Sequence, residues 1–337
     1  MDYVYVVVSS DKDTYLEQTI LSIESLKRAV DTHNVYVIID PETRASLTGR
    51  RAKLYDVADH VLVVSPPAAY NAQQRSRYLK TTMYSHLEHD FIYIDGDTLI
   101  CDDPSTAAGD YPVAAVLDRH ALVSEHPRAK RLAGRAKRCG FNTSYQGKHF
   151  NGGFMYVKKC PESERFFRLW EDLRGESLAR KVSQDQASLN EANYRMGGVI
   201  HELDGTYNCQ IGDMAGLRFL PTAIVIHYFA SGGTRIPFNL AEDKIIRHVT
   251  DDTYPEGLLA VLNAPRATFM FIKHYIAESS TGEVAASHTF RLVFELVTSR
   301  KAAARWLYCL MECLSLMTLT LRRWTKLCRR AVNRKRS

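Results

Sequence analysis
The chain has 337 residues, 45% of them apolar, and a formal charge of +6; that size and composition exclude a fibrous or disordered chain and admit one large domain or two modest ones. Residues 300–337 carry eleven Lys or Arg against one acid, Glu312, a net +10, so residues 1–299 are net −4. A nucleic-acid protein would carry its basic patch on the folded body, so nucleic acid is set aside as a partner and the tail points to a negative surface.

Tyr3–Val8 is a short, β-branched apolar run and predicts a buried strand, opening the chain without the basic region of a signal peptide. A polar loop from Ser9 to Tyr15 follows, then a helix with Leu16, Ile20, Ile23 and Leu26 at helical spacing. Val35–Ile39 is a second strand, Pro41 to about Leu54 a helix with Pro in its first turn, and Val61–Val64 a third strand stopped by Pro66-Pro67. Gln74–Glu88 reads as a helix feeding the strand 91–94. Such alternation implies a parallel sheet with right-handed crossovers. Val113–Leu117 is another strand, 119–148 a long irregular basic loop of the kind that binds or covers ligands, and Phe150–Val157 a strand bearing Asn151-Gly152-Gly153. Glu162–Arg174 and Ser183–Tyr194 read as helices, the second with Ser183 and Gln186 spaced as a capping box. Ile224–Phe229 is a strand delivering His227 and Tyr228, and residues 254–275 read as helical. Seven cysteines form no CxxC pair, which sets aside zinc-ribbon and thioredoxin-like chemistry and leaves reduced thiols in a cytoplasmic protein.

The most informative stretch is Phe-Ile-Tyr-Ile-Asp95-Gly96-Asp97. Two aspartates leave the carboxyl end of an apolar strand, the edge where open α/β sheets bind ligands. Crowded carboxylates repel unless a cation lies between them. Hard divalent ions, Mn²⁺ or Mg²⁺, take oxygen ligands and suit nucleotide phosphates. The same dipeptide is also ordinary turn chemistry.

Asp13-Thr14-Tyr15 after the first strand, Arg75-Ser-Arg77-Tyr-Leu with Lys80 before the Asp pair, then Asp95-Gly96-Asp97, Asn151-Gly152-Gly153, Ser183-Gln-Asp185-Gln186 and His227-Tyr228 occur in a definite order. That order, over residues 3 to 240, resembles the family 8 glycosyltransferases, retaining enzymes that include lipooligosaccharide galactosyltransferases and glycogenins. The resemblance implies a GT-A nucleotide-diphospho-sugar transferase fold, an α/β architecture with a mostly parallel Rossmann-like sheet and a helical C-terminal extension. It implies that Asp95, Asp97 and His227 ligate Mn²⁺ or Mg²⁺. Thr14 and Tyr15 would lie against the nucleotide, with Tyr15 stacked on the base or else serving as an apolar helix contact. Arg77, with Arg75 or Lys80 as alternatives, would approach the donor's sugar and diphosphate. Asp95, Gly96, Asn151 and Gly152 would line the donor site, the small residues allowing close approach or a bulge. Asp185 would bind sugar hydroxyls and Gln186 would sit beneath the anomeric carbon, in competition with the helix cap. The run after His227 departs from the family's Gly and Lys-Pro-Trp; Arg235 stands for the lysine and Pro237-Phe238 for Pro-Trp.

These readings imply residues 1–250 as a catalytic domain, 251–299 as a helical extension and 300–337 as a basic amphipathic tail. The expected donor is a nucleotide sugar, UDP-hexose by family default, and the acceptor a glycan or glycolipid in cell-surface polysaccharide or lipopolysaccharide synthesis. The alternatives are a sugar-nucleotide nucleotidyltransferase, weakened because Ser9-Ser-Asp-Lys-Asp-Thr lacks the Gly-rich basic loop that holds a triphosphate, and a non-catalytic membrane-bound sugar-nucleotide binder. Across residues 300–333, Trp306, Leu307, Leu310, Leu314, Met317, Leu321, Trp324 and Cys328 fall on one side of a helix and Arg305, Glu312, Arg322, Lys326 and Arg329 on the other. A spanning helix needs about 20 apolar residues. This tail is expected instead to lie in the plane of an anionic membrane, placing the protein peripherally on the inner, cytoplasmic face.

Overall fold
All seven apolar runs form strands. In order, β1 is Asp2–Val7, β2 Asn34–Ile39, β3 His60–Val63, β4 Phe91–Ile94, β5 Thr98–Ile100, β6 Val113–Leu117, β7 Phe150–Val157, β8 Ile200–Glu202, β9 Cys209–Gln210 and β10 Val225–His227. The computed structural model describes residues 1–142, 147–211, 214–228, 246–251, 253–269 and 302–334, with isolated positions between 289 and 296. The expectations for Arg235, Pro237 and Phe238 lie outside the described residues. The chain falls into two compact units, Met1–Ala277 and Glu278–Ser337.

The first unit holds a seven-stranded sheet in the order β3-β2-β1-β4-β7-β6-β8 and a three-stranded sheet in the order β5-β10-β9. β1, β2, β3 and β4 are parallel neighbours, as strand–helix alternation requires, and β6 runs parallel to β8. β7 enters antiparallel to both β4 and β6. Both faces of the large sheet are covered, so its strands alternate between two cores rather than between core and water. Tyr3, Tyr5, Ile92, Ile94, Ala114, Val116, Phe154 and Tyr156 enter one core, with Leu16, Ile20 and Ile23 of α1 (Tyr15–Ala29). Val4, Phe91, Tyr93, Val113, Ala115, Met155 and Val157 enter the other. There they meet α4 (Ala72–Thr82), α6 (Pro161–Ala179) and α7 (Gln186–Arg195), through Leu79, Trp170 and Leu189 among others.

Four sequence expectations are corrected. The helix expected from Pro41 to Leu54 is broken into α2 (Pro41–Ser46), a 3-10 turn (Gly49–Lys53) and α3 (Leu54–Val57), because Ser46, Thr48 and Gly49 are poor helix formers in succession. The loop expected over 119–148 contains α5 (Ala129–Cys139), an amphipathic helix ended by Gly140 in the left-handed conformation, φ 70°. The helix expected over 254–275 stops at Asn263 and restarts at Pro265, which cannot donate to the preceding turn. No capping box forms between Ser183 and Gln186; the Ser183 hydroxyl bonds the Gln73 side chain. Strands β5, β8 and β9 were not expected, being two or three residues long and formed by pairing rather than by propensity.

Candidate active site
The site is built where the two sheets join. The Asp95 amide donates to Gly153 O at 2.8 Å, carrying the β4–β7 ladder one residue past β4. Asp97 O accepts from the Tyr228 amide at 3.1 Å, carrying the β10–β5 ladder one residue past β10. Asp95-Gly96-Asp97 is thus the corner where the chain leaves the large sheet for the small one. His227 sits opposite Thr98 across that corner. Asp95, Asp97 and His227 each offer a ligand atom, all within 4.8 Å of one another. His227 Nε2 lies 3.2 Å from Asp97 Oδ1.

The corner is tight. A Cβ at Gly96 would stand 2.2 Å from Thr19 Oγ1 of α1, and one at Gly153 would stand 2.5 Å from His227 Cε1. A side chain at Gly153 would displace His227, and one at Gly96 would press on Thr19.

A buried hydrogen-bond chain fixes the imidazole. Asn151 Nδ2 donates to Asp118 Oδ1 at 2.9 Å, and Asn151 Oδ1 accepts from the Gly153 amide at 2.8 Å and from Asn208 Nδ2 at 3.1 Å. That orientation leaves Asn208 Oδ1 as an acceptor, 3.0 Å from His227 Nδ1. His227 therefore carries its proton on Nδ1 and turns the Nε2 lone pair toward the two carboxylates, the arrangement of a metal-binding histidine. Two carboxylates and an imidazole lone pair fit a divalent cation, and this donor set is the observation that the metal reading rests on.

Cations face the carboxylates from α4. Lys80, 3% exposed, places Nζ 3.0 Å from Asp95 Oδ1 and 3.9 Å from Asp185 Oδ2, and it lies over the Tyr93 ring. The Tyr93 hydroxyl also donates to Asp95 Oδ1. Arg77 Nε lies 3.2 Å from Asp185 Oδ1. Arg75 turns away to Asp40 and Glu42. Of the three basic candidates, Arg77 and Lys80 reach the site and Arg75 does not. Burial and repulsion from Asp97 work against ionising Asp95, but Lys80 beside it holds the carboxyl below its usual range.

Asp185 precedes α7 and is held by packing from α6, where buried Trp170 donates Nε1 to the Asp185 carbonyl at 3.2 Å. Gln186 opens α7, and its side chain hydrogen-bonds Asp118 rather than capping the helix. Burial works against ionising Asp118, but hydrogen bonds from His126, Asn151 and Gln186 overcome it and hold the carboxyl far below the usual range. Asp118 therefore ties Gln186 to the Asn151–Asn208–His227 chain. Gly152 packs beside Leu189 and Lys80. Thr14 is buried, its hydroxyl accepting from Gln18 Nε2 at 3.0 Å, while Tyr15 is 48% exposed at the start of α1. Asp13 organises their loop by accepting from Ser9, Ser10 and the Tyr15 amide. The sequence reading does not single out Asp118, Asn208, Tyr93 or His126; only Tyr93 lies within the motif it supports.

Two buried histidines near the site make stability depend on pH. His120 Nε2 accepts from the Gln210 amide at 3.2 Å, which requires a neutral ring. Burial pushes His120 and His149 from the ordinary 6.5 down to about 4. Between those values the unfolded chain binds protons that the folded chain refuses. Stability is therefore complete above pH 6.5 and falls as pH drops toward 4, by up to about 1.4 kcal/mol per pH unit for each histidine. Glu17 and Glu171, carboxyls pushed upward by burial, oppose this, and His86, pushed downward by burial, adds to it. A urea midpoint lower at pH 5 than at pH 7.5 is expected; equal midpoints would contradict the burial of neutral rings.

No protein-family model matches the sequence, and no curated protein matches it. Among solved structures the chain is similar to the galactosyltransferase LgtC in complex with donor and acceptor sugar analogues, with TM-score 0.51 and 16% identity over 76% of this chain and 98% of that one. It is similar also to an active-site mutant of LgtC, with TM-score 0.53 and 15% identity over 76% of this chain and 98% of that one. The fold is the α/β GT-A fold, with its mostly parallel central sheet.

Proposed function
We propose that the chain is a metal-dependent glycosyltransferase that moves a hexose from a nucleotide sugar to a glycan or glycolipid with retention at the anomeric carbon. The observation that carries the reading is the convergence of Asp95, Asp97 and the oriented Nε2 of His227 at one corner of a GT-A fold. These three residues would hold Mn²⁺ or Mg²⁺. Such an ion supplies Lewis-acid stabilisation of the departing diphosphate. Tyr15 and Thr14 would meet the nucleotide, UDP by preference, and Arg77, Gly96, Asn151 and Gly152 the donor's diphosphate and sugar. Arg235 belongs to the same proposal as the diphosphate contact.

Asp185 accepts hydrogen bonds from sugar hydroxyls while Arg77 and Lys80 hold it in place. Gln186 lies beneath the anomeric carbon, held there through Asp118. An amide cannot remove a proton, Asp95 and Asp185 are engaged by Lys80 and Arg77, Asp118 is engaged by hydrogen bonds, and Asp97 is assigned to the ion. The acceptor hydroxyl therefore loses its proton to the leaving phosphate oxygen as the bond from C1 to that oxygen breaks and the new glycosidic bond forms on the same face. The hydrogen bond of the Gln186 side chain to Asp118 favours this front-face path, because the reacting atoms must be held in register. The loop 9–15 is closed by Asp13 on its own serines, which speaks against a triphosphate cradle and hence against a nucleotidyltransferase.

The basic tail extends the reading to a lipid-linked acceptor at the cytoplasmic face of a membrane, in cell-surface polysaccharide or lipopolysaccharide synthesis. Among the described residues no helix is long and apolar enough to cross a membrane.

The test is a thermal-shift screen of nucleotide sugars with and without Mn²⁺, followed by NMR of the product. A ligand at about 100 times its Kd adds about 2.7 kcal/mol to stability. UDP-hexoses should raise the melting temperature only with the ion, and an α-linked donor should give an α-linked product. A β-linked product would overturn retention. Tight metal-dependent binding without transfer or donor hydrolysis would favour a binder over an enzyme.

A further inference from the structure
A half-enclosed cavity of about 260 Å³ lies between α5 and α7. Its walls are apolar, with Leu132 and Ala136 from α5, Phe141 beyond it, and Ala187 and Tyr194 from α7. It is smaller than the clefts of roughly 300–1,000 Å³ that hold drug-sized ligands, so it suits about one ring. It abuts the first turn of α7, and Asn190 in its wall donates to the Gln186 carbonyl at 2.9 Å.

The polar groups of the wall are satisfied with one exception. Asn190 accepts from the Phe150 amide at 2.6 Å and donates to Phe150 O at 2.9 Å. Glu191 is paired with Arg195 at 2.9 Å and accepts from the Asn142 amide at 3.2 Å. His149 is a buried, neutral ring. Arg135 differs. Its Nε is buried and has no hydrogen-bond partner among the described residues, and no carboxylate there pairs with its guanidinium. Burial first, then the neighbouring charges of Arg131 and Arg138, disfavour its charge and outweigh the opposing pull of Asp118. α5 contains five basic residues and no acid. A half-buried guanidinium with no carboxylate in contact, set in a mainly apolar wall, is the local chemistry of a site for an anion borne on an apolar surface. The C–H faces of a sugar supply such a surface, and Tyr194 and Phe141 are the side chains that pack on it.

We propose that this cavity is an acceptor subsite for a sugar that carries an anionic group, a phosphate or a carboxylate, with Arg135 as its cation. The proposal rests on the glycosyl-transfer reading above and adds the acceptor's class to it. The cavity's contact with the turn that bears Gln186 places the bound ring beside the centre where the bond would form.

The full chain is titrated with glucose 6-phosphate, glucuronate, glucose and inorganic phosphate, and separately with UDP plus Mn²⁺. Binding of one or both anionic sugars is expected, at least 10-fold tighter than glucose or inorganic phosphate, and the preferred one distinguishes phosphate from carboxylate. Arg135→Ala should weaken that binding at least 10-fold. Ala133→Trp, an exposed position on the rim, should block it by filling the mouth. Both variants should bind UDP and Mn²⁺ as the parent does. Anionic sugars bound equally by parent and Arg135→Ala, or inorganic phosphate bound as tightly as the sugar phosphate, would overturn the subsite. Failure of UDP to bind would count against the glycosyl-transfer reading, whereas UDP binding with no anionic-sugar binding would overturn the subsite alone.

Discussion
Asp95→Ala, Asp97→Ala and His227→Ala are each expected to lower metal-stimulated transfer by on the order of 100-fold or more, since a Lewis acid is worth several kcal/mol to a departing phosphate. The fold should survive the aspartate changes. The two carboxylates repel each other, so removing one relieves repulsion even where Lys80 loses a partner. His227→Ala should be less tolerated, because it leaves Asn208 Oδ1 buried without its donor, a cost of about 1–3 kcal/mol. Asn208→Ala is the graded member of the series. It frees the imidazole to adopt the other tautomer without removing a ligand, and outer partners of this kind are worth about 10–100-fold in metal affinity. Mn²⁺ affinity read by electron paramagnetic resonance separates the ligand changes from Asn208→Ala. Unchanged affinity in Asp97→Ala would remove the metal centre from the proposal.

What was legible in the sequence follows from how locally each feature is encoded. Asp95-Gly96-Asp97 is contiguous and ends an apolar run, so strand and carboxylates are read together. The two-core sheet was legible because both faces are buried and the strands are continuous apolar runs. The cations of α4 were separable in principle. Positions 77 and 80 are one helical turn apart and share a face, whereas 75 lies on the opposite side, toward Asp40. α5 was hidden because its basic residues outnumber its apolar stripe, although Leu132, Ala136 and Cys139 keep helical spacing. Asn208 and Asp118 were not legible. Asn208 acts on His227 nineteen residues away, and Asp118 on Asn151 thirty-three away. A hydrogen bond between such positions leaves no periodic mark. Gln186 shows the converse error. Its spacing from Ser183 satisfied a local rule, but a buried carboxylate on another element competes better for its amide than a solvent-facing helix end does.

Removing residues 300–337 is expected to abolish binding to anionic vesicles and to leave transfer to a soluble acceptor intact. Ala302–Arg334 forms one helix of 33 residues, in agreement with the helix expected over 300–333. Among its described residues, Trp306 is 69% exposed, Leu316 67% and Met317 69%. An apolar stripe left in water on a helix costs free energy unless a surface covers it. A membrane and a protein partner both qualify, and charge decides between them. The tail's net +10 follows a body of net −4, and each cation near an anionic leaflet contributes about 1 kcal/mol. Even a fraction of them engaged changes partitioning by orders of magnitude and makes it fall with salt. The strands and the candidate metal ligands all lie within Met1–Ala277, so the deletion removes no part of the proposed centre. Vesicles with and without anionic lipid, sedimented at moderate and high salt, give the reading. Full-length protein should co-sediment only with anionic lipid and at moderate salt, and the truncated chain in neither case. Equal sedimentation of the two chains would show that the helix serves a protein contact, and would detach the lipid-linked acceptor from the functional reading.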